Sequence, residues 1–145
     1  MSKIVIIGAG AMGSAFALPC LDNNHDVNIV GTHLENDFID VFKRNNNIHP
    51  GLNTKIPEAI KIFKFEKFDE LLNSNIDIIV LGISSKGIEW VSDQLSRLYK
   101  GKKIPKLLML TKGLSIHNNK YELLVDKLER LLADRKISNV DISAV

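Results

Sequence analysis

Between Lys3 and Ala15 the chain reads Lys-Ile-Val-Ile-Ile-Gly-Ala-Gly-Ala-Met-Gly-Ser-Ala, and no other stretch limits the possible folds so tightly. Ile4 to Ile7 is an unbroken apolar run of β-forming residues, as expected for a strand buried on both faces in a parallel sheet. Gly8, Gly10 and Gly13 follow, and a small-residue helical pattern comes next. The spacing gives each glycine a separate task. Gly8 permits a tight turn, Gly10 lets the backbone come close to a pyrophosphate, and Gly13 lets the helix pack near the strand. The free N–H groups and positive dipole end of that helix would face the phosphates. Alone, G-x-G-x-x-G is a weak signal; set between a strand and a helix it is much stronger.

Strand and helix patterns then alternate. Ala11 to about Asn24 is expected to be helical, kinked at Pro19, which cannot donate to the Ala15 carbonyl. Val27–Val30 is the second strand and Glu35–Arg44 a helix with Phe38, Ile39, Val41 and Phe42 on its apolar side. Asn45–Thr54 reads as a loop around Pro50-Gly51, Ile60–Phe65 as a short strand, and Glu66–Asn73 as a short helix. Ile76–Leu81 is another buried strand, Gly87–Tyr99 a helix, and Lys106–Leu110 a strand. Asn118 to about Asp134 carries Tyr121, Leu124, Val125, Leu128, Leu131 and Leu132 on one stripe, which predicts an amphipathic helix. Val140–Val145 is the last strand. This succession predicts an α/β fold, a Rossmann-type doubly wound parallel sheet forming one domain over residues 1–145.

Composition agrees and excludes other classes. A chain of 145 residues, 45% hydrophobic and 25% charged, can bury a core without disulfides. Its 19 Lys+Arg against 17 Asp+Glu leave a net charge of +2, too balanced for nucleic acid or an anionic membrane. The lysines at 100, 102, 103 and 106 form only a small solvated patch. Cys20 is alone, which suits a reducing compartment, and Met1-Ser2-Lys3 leads straight into the first strand without a signal sequence. No apolar run approaches the roughly 18 residues that span a bilayer. The expectation is a soluble, cytoplasmic protein.

In open parallel sheets ligands sit at the carboxyl ends of the strands, where strand order reverses. Four loops qualify: Gly8–Gly13, Gly31–His33, Gly82–Gly87 and Thr111–Ser115. An acidic residue about 20 positions beyond the glycines ordinarily binds the ribose and selects NAD. None stands at the end of the second strand: Asp26 opens it and Glu35 lies past it. Thr32 and His33 could instead approach an adenosine 2′-phosphate, so NADP stands beside NAD; both residues could equally just begin the next helix. Ser84 and Ser85 could line the nicotinamide half or simply cap the following helix. Lys112 puts a cation at the end of a strand, where it could hold an anionic substrate or a reacting oxygen; a solvent-facing lysine fits as well. His25, His33, His49 and His117 have no metal-ligand spacing, so no metal site is expected. His25 is read as completing the turn before the second strand, and Trp90 and Tyr121 as packing residues.

Gly8-Ala-Gly-Ala-Met-Gly13, Asn47-Ile-His-Pro-Gly-Leu52, Leu81-Gly-Ile-Ser-Ser85 and Leu110-Thr-Lys-Gly-Leu114 occur in this order. Together they resemble the amino-terminal half of NAD(P)-dependent sn-glycerol-3-phosphate dehydrogenase. The Thr-Lys-Gly-Leu segment is the most discriminating piece. The resemblance implies reversible hydride transfer between dihydroxyacetone phosphate and glycerol 3-phosphate, a step that supplies phospholipid backbones. It implies that Ala11 and Met12 touch the cofactor pyrophosphate and Thr32 the adenosine ribose or its phosphate. Lys112 would then lie near both the nicotinamide and the substrate. Ser84 departs from the family, which commonly has proline there. The family continues into an all-helical domain carrying the general acid/base lysine, and residues 1–145 stop before it. The chain is therefore expected to bind dinucleotide yet turn over weakly or not at all alone, and a missing cover would favour self-association. A ketopantoate reductase-like domain and a dinucleotide-binding module without chemistry are the alternatives.

Overall fold

A computed structural model describes residues 1–145. Its ordered elements are β1 (Lys3–Ile7), α1 (Ala11–Asp22), β2 (Asp26–Val30), α2 (Asn36–Arg44), β3 (Ile48–His49), β4 (Thr54–Lys55) and β5 (Lys61–Phe63). There follow α3 (Phe68–Leu72), β6 (Ile78–Leu81), α4 (Ile88–Leu98), β7 (Lys106–Met109), β8 (Leu114–His117), β9 (Lys120–Leu123), α5 (Leu124–Asp134) and β10 (Ile142–Ala144). Six strands form one sheet in the order β10-β7-β6-β1-β2-β5, every neighbouring pair parallel. The chain leaves β1 toward β2 and β5, then crosses to β6, β7 and β10. Strand order therefore reverses between β1 and β6.

Side-chain alternation along the central strand builds two cores. Val5 and Ile7 face one side with Phe68, Leu72, Ile88, Val91, Leu95, Leu128 and Leu132 from α3, α4 and α5. Ile4 and Ile6 face the other with Ala17, Cys20, Ile39 and Phe42 from α1 and α2. The result is helices on both faces of a parallel sheet, the doubly wound architecture expected from the sequence. Burial raises the Cys20 thiol above its ordinary range, so this side chain behaves as a small core residue.

Three segments differ from the sequence reading. The helix expected from Asn118 begins only at Leu124, because Leu114–Leu123 folds as an antiparallel hairpin. Asn118 and Asn119 hold φ of 50° and 59°, the left-handed pair that a two-residue hairpin turn demands. Tyr121 therefore leaves the helical stripe and stands 78% exposed rather than packed. The expected loop 45–54 contains the short β3–β4 hairpin, shaped by Asn46, Asn47 and Asn53 at positive φ. The helix expected over 66–73 is a 3-10 turn at Phe65–Lys67 running into the shorter α3. Helix α1 continues through Pro19 to Asp22, and Asn23 closes it by donating from backbone and side chain to the Pro19 carbonyl. His25 accepts the Ser2 amide at 3.1 Å and ties the chain start to the turn before β2.

Candidate functional site

The carboxyl ends of β1 and β6 meet where strand order reverses, and glycine backbone fills the junction. Gly8 turns the chain at φ +108°, and a Cβ there would fall 2.5 Å from the Gly82 carbonyl oxygen. A Cβ on Gly82 would come within 2.9 Å of Gly13 Cα, and one on Gly13 would collide with the Gly8 carbonyl. These three positions are closed to side chains by packing. Gly10 is different: a Cβ there meets nothing within 4 Å.

That open position begins a run of unpaired donors. The amides of Gly10, Ala11, Met12 and Gly13 find no acceptor in the protein, since the helical ladder starts with Ser14 donating to Gly10 at 3.0 Å. No acidic side chain occupies the first turn of α1. Four amides at the positive end of a helix, beside an uncluttered Cα, form a cradle for an anion the size of a diphosphate. The fit is good.

The cradle divides two grooves. One, of about 600 Å³, is lined by Gly10, Thr32, His33, Leu34, Glu35, Gly82, Ile83, Ser84, Lys86, Gly87 and Trp90. Of its lining residues, His33 and Trp90 lie 5.1 Å apart, ring centre to ring centre, and behind them Phe65 stands 6.1 Å from His33. The other groove, of about 360 Å³, runs along α1 and is lined by Met12, Ala15, Phe16, Pro19, Leu110, Lys112 and Val145. Thr32, His33 and Ser84 thus share one groove, Met12 and Lys112 share the other, and Gly8–Gly13 stand between them. Ser85 is exposed in the turn that enters α4 and does not line the first groove. Lys112 is exposed, while its neighbour Thr111 is buried and donates its hydroxyl to the Ile83 carbonyl at 2.7 Å. That bond couples the ends of β6 and β7.

Two residues matter more than their sequence positions suggested. Glu35 does not simply lie past the strand end: its carboxylate turns back and accepts the Thr32 amide at 2.7 Å and the Ala9 amide at 3.1 Å. It links the glycine turn to the end of β2, and its spacing from Gly13 was the available signal. His49 is 2% exposed, packs edge-on against Phe38 and Phe42, and meets the Ala9 carbonyl through Nε2 at 3.1 Å. No local pattern marks such a contact, because 40 residues separate the partners.

A parallel doubly wound sheet with a glycine-rich turn at its reversal point is the nucleotide-binding Rossmann class. Residues 3–143 match the family described as NAD-dependent glycerol-3-phosphate dehydrogenase N-terminus, and the chain belongs to that family. An NADP(+)-dependent glycerol-3-phosphate dehydrogenase from Archaeoglobus fulgidus is 30% identical over 140 residues, covering 97% of this chain and 40% of that protein. A glycerol-3-phosphate dehydrogenase [NAD(P)+] from Shouchella clausii is 28% identical over 145 residues, covering 100% and 39%. Among solved structures, glycerol-3-phosphate dehydrogenase from Coxiella burnetii superposes with a TM-score of 0.75 at 19% identity, covering 99% of this chain and 40% of that one. The chain spans about two fifths of the length of these relatives. No helix is long and apolar enough to cross a membrane.

Proposed function

We propose that residues 1–145 form the dinucleotide-binding unit of an NAD(P)-dependent glycerol-3-phosphate dehydrogenase, which interconverts dihydroxyacetone phosphate and sn-glycerol 3-phosphate. The observation that carries this reading is the open Cα of Gly10 beside the four unpaired amides of Gly10–Gly13, within a chain of this family. The diphosphate of NAD or NADP would lie on those amides, with Gly8 and Gly13 shaping the turn and Ala11 and Met12 at its rim. The adenosine half would enter the groove of Thr32, His33 and Trp90, with Ser84 on its wall. The nicotinamide would reach toward Met12 and Lys112.

When bound, the nicotinamide supplies or takes the hydride. The work of this chain is to bind and orient. Lys112, an exposed lysine just past the end of β7, would hold the anionic substrate or its reacting oxygen beside the ring. Proton transfer to that oxygen needs a positioned acid within hydrogen-bond reach. We assign that acid to the helical domain implied by the resemblance, outside these residues, and expect no appreciable turnover from the 145-residue chain.

Trp90 is the single tryptophan, so energy transfer from it to reduced nicotinamide provides a titration signal. Saturable transfer with NADH or NADPH, lost in Gly10→Val, is the expected result. Unchanged affinity in Gly10→Val would place the dinucleotide elsewhere. Brisk glycerol-3-phosphate-dependent reduction of NAD or NADP by the chain alone would overturn the assignment of the proton donor.

A further inference from the structure

One short residue, Ala9, is held from three directions by elements far apart in sequence. Its N–H donates to Glu35 Oε1 at 3.1 Å. Its carbonyl oxygen meets the Ser14 hydroxyl at 3.1 Å, in the first turns of α1, and His49 Nε2 at 3.1 Å, from the β3–β4 hairpin. The state of the imidazole follows from its other nitrogen. Nδ1 accepts the Gly51 amide at 3.0 Å and the Leu52 amide at 3.1 Å, so it carries no proton, and the ring proton sits on Nε2. His49 therefore donates to Ala9, and Ser14 donates to the same oxygen, which fills both lone pairs of that carbonyl.

The consequence lies on the far side of the peptide. The Ala9–Gly10 peptide is planar and trans, so a carbonyl held on one side turns the Gly10 N–H to the opposite side. That amide opens the run of four that lacks protein acceptors. A peptide flip at Ala9 would cost the cradle its first donor. His49 also sets the hairpin tip, since a Cβ at Gly51 would lie 3.3 Å from the imidazole and 3.8 Å from the Ala11 Cβ.

We propose that His49 is a positioning residue: in its Nε2–H form it clamps the Ala9 carbonyl and so aims the Gly10 amide at the cofactor diphosphate. The proposal rests on the dinucleotide reading above and adds to it a residue from outside the glycine turn. The ring's two nitrogens do separate jobs, and two substitutions separate them. His49→Gln keeps a donor at the reach of Nε2, whereas His49→Asn keeps an acceptor at the position of Nδ1 but cannot reach Ala9. His49→Phe keeps the packing against Phe38 and Phe42 and loses both.

The test measures ADP and adenosine binding to the 145-residue chain and its variants, with thermal melts to confirm folding. His49→Phe should weaken ADP about tenfold, the loss of one well-placed hydrogen bond, and leave adenosine within about twofold. His49→Gln should regain most of the ADP affinity and His49→Asn should not. Rescue by Asn instead of Gln would mean that the imidazole only folds the hairpin tip, and equal losses for ADP and adenosine would mean a general disturbance; either overturns the proposal. Failure of wild type to bind any nucleotide would refute the dinucleotide reading itself. The clamp is decided separately by amide resonances of the free protein. The Gly10 and Ala11 amide signals should shift in His49→Phe and the Ala9 amide, which Glu35 holds, should exchange faster; unchanged signals would sink the clamp.

Discussion

Gly10 and Gly13 sit three positions apart in one turn, yet substituting alanine at each should have opposite consequences. At Gly10 the backbone has φ −67° and ψ 177°, a conformation alanine adopts freely, and a Cβ meets nothing within 4 Å. Alanine there removes unfolded-state freedom, worth about 0.4–1 kcal/mol, and gives up a better N-cap residue, worth a similar amount. The two offset, so Gly10→Ala should leave folding stability within about 0.5 kcal/mol of wild type. Its cost falls on the ligand: the methyl occupies the space a diphosphate needs, and affinity for NADH should drop at least about tenfold, or about 1.4 kcal/mol. Gly13→Ala gains helix propensity of about 1 kcal/mol, but its methyl collides with the Gly8 carbonyl and lies 3.2 Å from the Ile6 side chain. Backbone cannot yield as a flexible side chain can, so a net destabilisation of about 2 kcal/mol is expected, as for overpacked cores. Urea denaturation gives the stabilities and Trp90 energy transfer the affinities. A Gly10→Ala protein that is clearly destabilised, or that binds NADH as wild type does, would refute the division of labour within this turn.

Lys86 lines the groove of about 600 Å³ with Thr32 and His33, the proposed adenosine side, while the Glu35 carboxylate is engaged by the Ala9 and Thr32 amides. Lys86→Ala should weaken NADPH about three- to tenfold and leave NADH within about twofold, read by paired titrations. Tyr99 is 6% exposed, donates its hydroxyl to the Leu72 carbonyl, and has its pKa pushed up to about 12 by burial. The raised value means that its share of stability is intact below the unfolded tyrosine value near 10 and is lost as pH climbs from about 10 to about 12; Tyr99→Phe should flatten that alkaline decline in a pH series of melts. Glu122 accepts from Ser115 and Arg130, and the guanidinium holds its carboxyl below the usual range. This tether between the β8–β9 hairpin and α5 persists above the ordinary carboxyl range and is lost as pH falls through the lowered value. Glu122→Gln should accordingly speed amide exchange in Leu114–Leu123 without touching β1 or β6.

The parts legible in the sequence were those encoded by near neighbours. Ile4–Ile7 running into Gly8 is enough to define a buried strand and a tight turn, and the helical spacing of Ile88, Val91, Leu95 and Leu98 is enough to define α4. The hairpin at Leu114–Leu123 is hidden in the sequence because Tyr121 also fits a helical stripe with Leu124 and Leu128. Only the paired Asn118-Asn119 distinguishes the two, and asparagine is an ambiguous marker unless its φ is known. The short β3–β4 hairpin has the same origin in Asn46, Asn47 and Asn53.

What no local pattern could carry is the assembly around Ala9. Glu35 and His49 lie 26 and 40 residues from it, and each is explained only by a contact that folding creates. Neither would be needed to form the strand, the turn or the helix, whose shapes the glycines and apolar residues already specify. Both bind backbone groups of a turn that otherwise keeps its amides bare. A bare anion cradle is costly to hold open, since four unpaired donors and close-packed glycines favour collapse or rearrangement of the turn. Side-chain clamps on the two peptides that flank the Ala9 Cα are a physical answer to that cost. The site is thus specified twice: by short-range spacing that shapes the turn, and by long-range hydrogen bonds that keep its donors aimed outward.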